Sequence, residues 1–180
     1  VEGDKKGYVY SDRHIELGAE RFLIGARVFA GLVEGLSPSA EDVALDVGCG
    51  TGYGTAILSK LCAMVVGIEE DSELVGKASA LLTELEIDNA VAVQGPLGGG
   101  YSREAPYNVI LVEGALPQVP QKMVEQLADG GRMAVVVNRG RGLYEATLIT
   151  RVRDSFGSRV LFNSAVPSLP GFSAAPVFTF

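Results

Sequence analysis

The sequence predicts an α/β fold with a doubly wound, mostly parallel sheet and antiparallel strands at its C-terminal edge. Short apolar segments alternate with helical segments along most of the chain, which is typical of parallel strands joined by helical crossovers. A glycine-rich turn separates the first buried strand from the helix that follows it. After Asn138 the helical pattern ends and strand-like segments separated by glycine and proline follow, which indicates the antiparallel edge.

The first forty residues predict a loop and then a helix. Residues 1–14 are polar and indicate a loop or a short edge strand. In 19–34 the apolar side chains recur every three or four residues, as in an amphipathic helix. The segment Ser37-Pro38-Ser39 interrupts that pattern.

The rest of the chain divides at glycine, proline and helix-capping residues into short elements. The predicted strands of the core are Val43–Val47, Met64–Ile68, Ala90–Val93, Asn108–Val112 and Arg132–Val137. The predicted helices are Tyr53–Leu61, Glu73–Leu85 and a short one from Pro117 and Pro120 to about Leu127. The edge segments are Leu143–Val152, Val160–Phe162 and Pro176–Phe180.

The composition is that of one globular domain. The chain has 180 residues, of which 47% are hydrophobic and 21% charged. Folding at this length buries roughly 70% of the surface of the unfolded chain, so the core needs no disulfide or metal. We expect a single domain, with an N-terminal loop and helix in 1–40, a βα core in 41–137 and edge strands in 138–180.

Charge and residue counts exclude several classes of function. The 15 basic and 22 acidic side chains give a net charge of −7, which argues against a protein that binds the nucleic-acid backbone. No apolar run approaches the ~20 residues of a membrane span, and we expect no secretory leader. The two cysteines, Cys49 and Cys62, favour a reducing cytoplasm. One histidine, His14, argues against a zinc site, and we expect no metal.

The strongest functional signal is the turn that runs from Asp46 to Tyr53. Gly48, Gly50 and Gly52 let the backbone approach a ligand closely, and the next helix offers free N–H groups. A dinucleotide fingerprint, G-x-G-x-x-G, needs a glycine where this chain has Tyr53, and no G-x-x-x-x-G-K-[ST] sequence is present. The carboxylate of Asp46 disfavours a pyrophosphate and suits a ligand with positive charge.

A second acidic residue ends the second strand of the core. Glu69 follows the first glycine by about 20 residues, the spacing at which a carboxylate binds two ribose hydroxyls. Two acids and three glycines together predict a site for a cationic adenosine ligand without phosphates, and a tight turn with an incidental Glu is the alternative. The pattern resembles the S-adenosylmethionine site of Rossmann-like methyltransferases.

Further segments, in this order, resemble the protein-L-isoaspartate O-methyltransferase family: Val65–Asp71, Asp88–Gly95, Ala105–Ile110, Leu116–Pro120, Gln126-Leu127 and Gly130–Arg132. The tail Leu169–Phe172 with the closing Phe178–Phe180 resembles a bacterial branch, which carries a further N-terminal helical segment that we expect to precede Val1. The resemblance implies a Rossmann-like S-adenosylmethionine-dependent methyltransferase fold and an enzyme that methylates a carboxylate of damaged protein. It implies S-adenosyl-L-methionine as cofactor, a protein or peptide acceptor, a monomer, and neither nucleic acid nor membrane as partner.

The resemblance also implies the residues of the cofactor site. The acid and glycines of the turn would line the methionine end of the cofactor, Glu69 the ribose, and 95–97 the adenine. The full set is Asp46, Gly48, Cys49, Gly50, Gly52, Tyr53, Glu69, Glu70, Pro96 and Leu97. Tyr53 either contacts the cofactor or packs its helix, and Cys49 is interpreted as a small residue rather than a nucleophile.

Four residues depart from the family pattern. Pro96 replaces an Asp that would bind the adenine amine, and Asn108 replaces the Asp of the P-[YF]-D segment. Ile24 and Ala26 replace a hydroxyl residue and a proline of the acceptor loop. Two alternatives therefore stay open: methylation of another acceptor, or an inactive protein that binds an adenosyl ligand. A nicotinamide oxidoreductase is opposed by Tyr53.

The acceptor site is expected in the N-terminal segment. The candidates are Tyr10, Ser11, Arg21 and Ile24, although Arg21 is also interpreted as a solvated charge on the first helix. No catalytic residue is predicted, because a carboxylate acceptor with a pKa near ~3.9 is already ionised at neutral pH and needs no general base.

Overall fold

The computed structural model describes residues 13–18 and 20–172. The described strands are Ile15–Gly18 (β1), Arg21–Leu23 (β2), Val43–Val47 (β3), Met64–Glu69 (β4), Ala90–Gln94 (β5), Tyr107–Leu116 (β6), Leu127–Gly140 (β7), Leu143–Val152 (β8) and Ser155–Asn163 (β9). The described helices are Ala26–Leu36 (α1), Tyr53–Leu58 (α2), Ser72–Glu84 (α3) and Gln121–Val124 (α4). The predicted strand Pro176–Phe180 lies outside the described residues.

Seven of these strands form one sheet in the order β5-β4-β3-β6-β7-β8-β9. Strands β5, β4, β3, β6 and β7 run parallel, whereas β8 and β9 are antiparallel additions at one edge, so the predicted fold class is confirmed. The order reverses between β3 and β6, because the chain moves outward from β3 to β5 and then returns to the other side of β3. Ligands of open α/β sheets bind at such a switch point, beyond the carboxyl ends of the strands.

The core has one layer on each face of the sheet. Along β3, Ala44 faces Leu32 of α1 and Leu58 of α2, whereas Leu45 belongs to the layer on the opposite face with Met123 of α4. Successive side chains of a strand alternate between faces, so a strand that is buried on both faces is apolar throughout. This explains why the core strands stand out as continuous apolar runs. Among the described helices, none is both long and apolar enough to span a membrane.

The predicted helix over 19–34 is wrong in its first part. Residues 21–23 form β2, which pairs antiparallel with β1 in a hairpin, and α1 begins at Ala26. Glu20 has a φ of 56° in the hairpin turn, and Gly25 is extended at the start of α1. Pairing with β1 satisfies the backbone of 21–23, and this pairing between segments overrides a local apolar spacing that suits a helix.

The other differences concern boundaries. The edge segment predicted at 160–162 is longer, because pairing with β8 includes the exposed residues from Ser155 onward. Exposed strand residues have no alternating pattern to reveal them. β6 continues four residues past its predicted end, to Leu116, and this extension brings Glu113 into the sheet.

Candidate functional site

Three buried acidic side chains meet at the switch point of the sheet. Asp46 lies near the carboxyl end of β3, and Glu69 ends β4. Glu113 lies on β6 one residue beyond Val112, which pairs with Val47 of β3. Asp46 and Glu69 are 0% exposed and Glu113 is 4% exposed. A charged group is costly to bury without partners, so these acids are strong candidates for function.

The glycine turn between β3 and α2 is held against β4. The amide of Gly48 donates to the carbonyl of Ile68 at 2.8 Å, and the amide of Gly50 donates to Glu69 Oε2 at 3.0 Å. Gly48 and Gly50 have φ values of 79° and 53°, in the left-handed region that glycine adopts without strain. The turn therefore directs a backbone N–H onto the acid that the sequence predicts to bind ribose.

Glu69 accepts hydrogen bonds on both carboxylate oxygens. The amides of Glu70 and Asp71 donate to Oε1 at 2.8 and 3.3 Å. Oε2 accepts from the amide of Gly50 and from Arg21. These donors fix the position of the carboxylate at the carboxyl edge of the sheet.

Arg21 forms a buried ion pair with Glu69. Its Nε and Nη2 atoms lie 3.1 and 3.0 Å from Glu69 Oε2, and Nη2 also donates to the carbonyl of Gly48 at 2.8 Å. The interpretation of Arg21 as a solvated helix charge is wrong, because the residue lies on β2 and is 4% exposed. Leu17 of β1 reaches the turn at Gly50, so the β1–β2 hairpin covers the glycine turn.

Asp46 and Glu113 form an acid pair on neighbouring strands. The Thr55 hydroxyl donates to Asp46 Oδ2 at 2.7 Å, whereas Asp46 Oδ1 and Glu113 Oε1 have no hydrogen-bond partner among the described residues. Both side chains converge on Gly54 of α2, where an added Cβ would collide with Glu113 Oε1 and lie 3.1 Å from Asp46 Oδ2. Burial raises the pKa of Asp46 to about 6 and raises the pKa of Glu113 well above its usual range, and the second acid adds to the effect on Glu113.

The sequence analysis did not identify Glu113. The signal that could have revealed it is a single acidic residue within the otherwise apolar run of β6. A charge at such a position is rarely structural unless it has a partner.

A cavity of about 260 Å³ adjoins Glu69 on the side of α3. It is lined by Arg21, Glu69, Glu70, Asp71, Leu97 and Pro170. Three residues of the predicted cofactor set, Glu69, Glu70 and Leu97, thus line one cavity, and the exposed Pro96 immediately precedes Leu97.

A second cavity, of about 520 Å³, lies along the hairpin and shares Pro170 with the first. Apolar side chains such as Phe22, Leu169 and Phe172 line it together with Glu16 and Glu20. Tyr10 and Ser11, which were predicted to contact the acceptor, lie outside the described residues. Ile24, which was also predicted to contact the acceptor, is 3% exposed and lies in the core layer that contains α1.

The remaining predicted residues have structural contacts. Tyr53 packs edge-to-face on Phe29 of α1, with ring centroids 5.5 Å apart. Gly52 has a φ of 84° and packs closely against α3. Cys49 is buried, and this burial raises the pKa of its thiol, which argues against a nucleophile. Asn108 Oδ1 accepts a hydrogen bond from the backbone amide of Val43 at 2.9 Å, which links β6 to the start of β3.

The groups at this site fit a cationic adenosyl ligand. Glu69 offers a carboxylate to hydroxyl groups, the acid pair offers negative charge at the switch point, and the glycine turn allows close approach. The cavity beside Leu97 offers an apolar wall to a planar base.

Comparison with known proteins gives consistent matches. The model of the family described as protein-L-isoaspartate(D-aspartate) O-methyltransferase matches residues 2–162. A protein-L-isoaspartate O-methyltransferase of Methanoregula boonei is 37% identical over 79% of this chain and 65% of its own length. One of Methanospirillum hungatei is 35% identical over 82% of this chain and 68% of its own length. The chain therefore spans about two thirds of the length of these curated relatives.

Solved structures agree on the fold. A protein-L-isoaspartate O-methyltransferase aligns with a TM-score of 0.81 at 24% identity, covering 92% of this chain and 55% of its own. A putative enzyme of this name from Plasmodium falciparum, solved in complex with S-adenosyl-L-homocysteine, aligns with a TM-score of 0.73 at 18% identity. That alignment covers 90% of this chain and 82% of the Plasmodium chain.

Proposed function

The chain belongs to the protein-L-isoaspartate(D-aspartate) O-methyltransferase family, and from this premise we propose that it is an enzyme that transfers a methyl group from S-adenosyl-L-methionine to a carboxylate of damaged protein. The observation that carries the proposal is the junction of the glycine turn with Glu69, where the Gly50 amide and the carboxylate meet at 3.0 Å. The family model covers this junction and most of the remaining chain.

Each end of the cofactor has a matching group in the chain. Glu69 binds the ribose hydroxyls, and the cavity between Glu70 and Leu97 holds the adenine. Gly48 and Gly50 line the methionine end, and the acid pair of Asp46 and Glu113 lies at Gly54, in the helix that follows the glycine turn. When bound, S-adenosyl-L-methionine supplies a methyl group that its own sulfonium has already activated. The chain's task is to align that group with the acceptor and to exclude water.

We assign the acceptor to the cavity of about 520 Å³, because it adjoins the adenosine cavity at Pro170 and follows the hairpin. The family resemblance implies that the acceptor loop lies in the N-terminal segment, which contains this hairpin. A carboxylate is ionised at neutral pH, so the reaction needs no general base. This agrees with a site whose titratable side chains are buried acids rather than an exposed histidine or thiol.

One observation favours a second candidate, methylation of a different acceptor on the same scaffold. Ile24, at the position where the family carries a hydroxyl, is buried in the core. The hydroxyl of the family's acceptor loop therefore has no equivalent at this position. An inactive protein that binds an adenosyl ligand is the remaining possibility.

Binding calorimetry with S-adenosyl-L-methionine tests the first step of the proposal. Binding to the wild type, with loss of affinity in Glu69→Ala and Asp46→Ala, is the expected result. Glu73→Ala is the matched control, because Glu73 lies on the exposed face of α3 in an ion pair with Lys77. Absence of binding to the folded wild type would refute the proposal.

Methyl transfer to a peptide tests the second step. An isoaspartyl peptide should become a methyl ester, detected by mass spectrometry, whereas the aspartyl peptide of the same sequence should not. Binding of the cofactor without transfer to the isoaspartyl peptide would favour the second candidate, and methylation of proteins in a lysate would then separate it from an inactive protein.

Three further properties belong to this proposal. The two buried cysteines, which form no disulfide, support a reducing compartment, the cytoplasm. The continuous seven-stranded sheet supports one domain. A monomer is proposed by resemblance to the family.

A further inference from the structure

Among the described residues, neither acid of the pair at the switch point has a cationic partner of its own. The basic side chain that faces the pair in this part of the chain is Arg21, and Arg21 already pairs with Glu69. Around the pair, β4 contributes Glu69, the glycine turn contributes the Cys49 thiol and α2 contributes the uncharged hydroxyl of Thr55. Within residues 13–18 and 20–172, the pair therefore faces one cation that is already neutralised and groups that cannot balance two further negative charges.

Two buried carboxyl groups that face each other cannot both be ionised at ordinary cost. Asp46 Oδ1 and Glu113 Oε1 receive no donor from the described residues, although both are buried. A proton shared by the pair supplies a donor that the two carboxyl groups otherwise lack. With one shared proton, the buried charged side chains Arg21, Glu69, Asp46 and Glu113 carry a net charge of −1.

We propose that Asp46 and Glu113 share one proton in the free protein and release it to solvent when the sulfonium cofactor binds at the switch point. The inference rests on the proposed function and deepens it, because it assigns a role to Glu113 that distinguishes the charge of the substrate from that of the product. S-adenosyl-L-methionine carries a sulfonium, an ammonium and a carboxylate, and is a net monocation. S-adenosyl-L-homocysteine has lost the sulfonium charge and is neutral overall.

The consequence is that the protonation of the acid pair follows the charge of the bound ligand. The incoming positive charge replaces the proton as the partner of the second carboxylate, and the proton passes to the buffer. After transfer the sulfonium is gone, so the pair takes up a proton again. Glu113 thus acts as a positioning residue through which the site responds to the charge of the ligand.

Calorimetry in two buffers counts the released protons. Titrations of the wild type at pH 7 in phosphate and in Tris differ in observed enthalpy by the number of protons times the difference in buffer ionisation enthalpy. We expect release of about half a proton or more per S-adenosyl-L-methionine and a clearly smaller release with S-adenosyl-L-homocysteine. The dissociation constant for S-adenosyl-L-methionine should fall with rising pH, by up to about tenfold per pH unit.

The variant Glu113→Gln keeps the shape of the side chain and removes the exchangeable acid. Its proton release should fall close to zero and its affinity should lose the pH dependence, whereas the exposed control Glu73→Gln should behave as the wild type does. The wild-type measurement decides the matter even if the variant does not fold. Binding without proton release, or equal release with both ligands, would overturn the inference and leave the proposed function standing. Unchanged release in Glu113→Gln would also overturn it, and absence of any binding would overturn both.

Discussion

The ion pair between Arg21 and Glu69 leads to the sharpest prediction about stability and binding. Within the buried site, Arg21 Nε donates to Glu69 Oε2. Arg21 Nη2 lies 3.0 Å from the same oxygen and donates to the Gly48 carbonyl. The substitution Arg21→Gln removes the cation and leaves Glu69 with three donors, the amides of 50, 70 and 71. We expect a loss of stability without a loss of cofactor affinity.

The expected loss follows from the partners that remain. Removing one partner of a buried ion pair costs about 3–5 kcal/mol when the other charge is left uncompensated. Because Glu69 keeps three backbone donors, we expect the lower end, about 3 kcal/mol, in the free energy of unfolding. For a domain of this size that loss lowers the melting temperature by about 6–12 °C. Arg139→Gln is the matched control, since Arg139 makes a 2.8 Å contact with Glu145 at the surface, and an exposed pair contributes less than about 1 kcal/mol.

Cofactor binding distinguishes the two possible roles of Arg21. If Arg21 is a counter-ion that occupies Glu69 in the free protein, Arg21→Gln leaves Glu69 available to the ribose. Its dissociation constant for S-adenosyl-L-methionine should then equal or fall below that of the wild type, while Glu69→Gln should bind much more weakly. Thermal unfolding and calorimetry on the same preparations measure both quantities. A melting temperature within about 2 °C of the wild type, or an affinity tenfold weaker in Arg21→Gln, would refute the reasoning.

Three further predictions concern the turn, the thiols and acid stability. In urea unfolding, Gly48→Ala should lower the free energy of unfolding by about 2–3 kcal/mol, because its Cβ would lie 2.6 Å from Arg21 Nη2 at a positive φ. The control Gly130→Ala has the same backbone strain but open space around the Cβ, so it should lower the free energy of unfolding by about 1 kcal/mol. Burial raises the pKa of the Cys49 thiol and raises that of Cys62 to about 11, so a disulfide reagent at neutral pH should label neither in the folded protein and both in urea. Burial raises the pKa of Asp42, but hydrogen bonds from Arg132 oppose this effect, and the pKa lies below the usual 3.8. The stability that Asp42 contributes is therefore present above pH 3.8 and lost as the pH falls through the lowered pKa, a loss that Asp42→Asn should reduce in acid unfolding.

Much of the fold could be predicted from the sequence, because the signals for it are local. Strands buried on both faces require continuous apolar residues, and the turn after β3 requires glycine at positions of positive φ. These constraints act within a few residues, so they leave a visible pattern. The position of Glu69 at the end of β4 follows from the same kind of pattern, because the apolar run ends at this residue.

The hairpin could not be predicted, because β-pairing is a contact between segments. The apolar spacing over 19–34 suits a helix, and only the register of β2 on β1 shows why residues 21–23 are extended. In that register the Arg21 side chain points into the site and contacts Glu69, which lies 48 residues away in the chain.

The sequence by itself determined the class of fold, the glycine turn and two of the three buried acids, since each depends on residue type and short spacing. Only the tertiary structure decided which acids meet. Glu113 and Asp46 are far apart in the chain and become neighbours because β6 returns to the open side of β3. The electrostatic character of the site depends on distances between charges, and strand order rather than local sequence sets those distances.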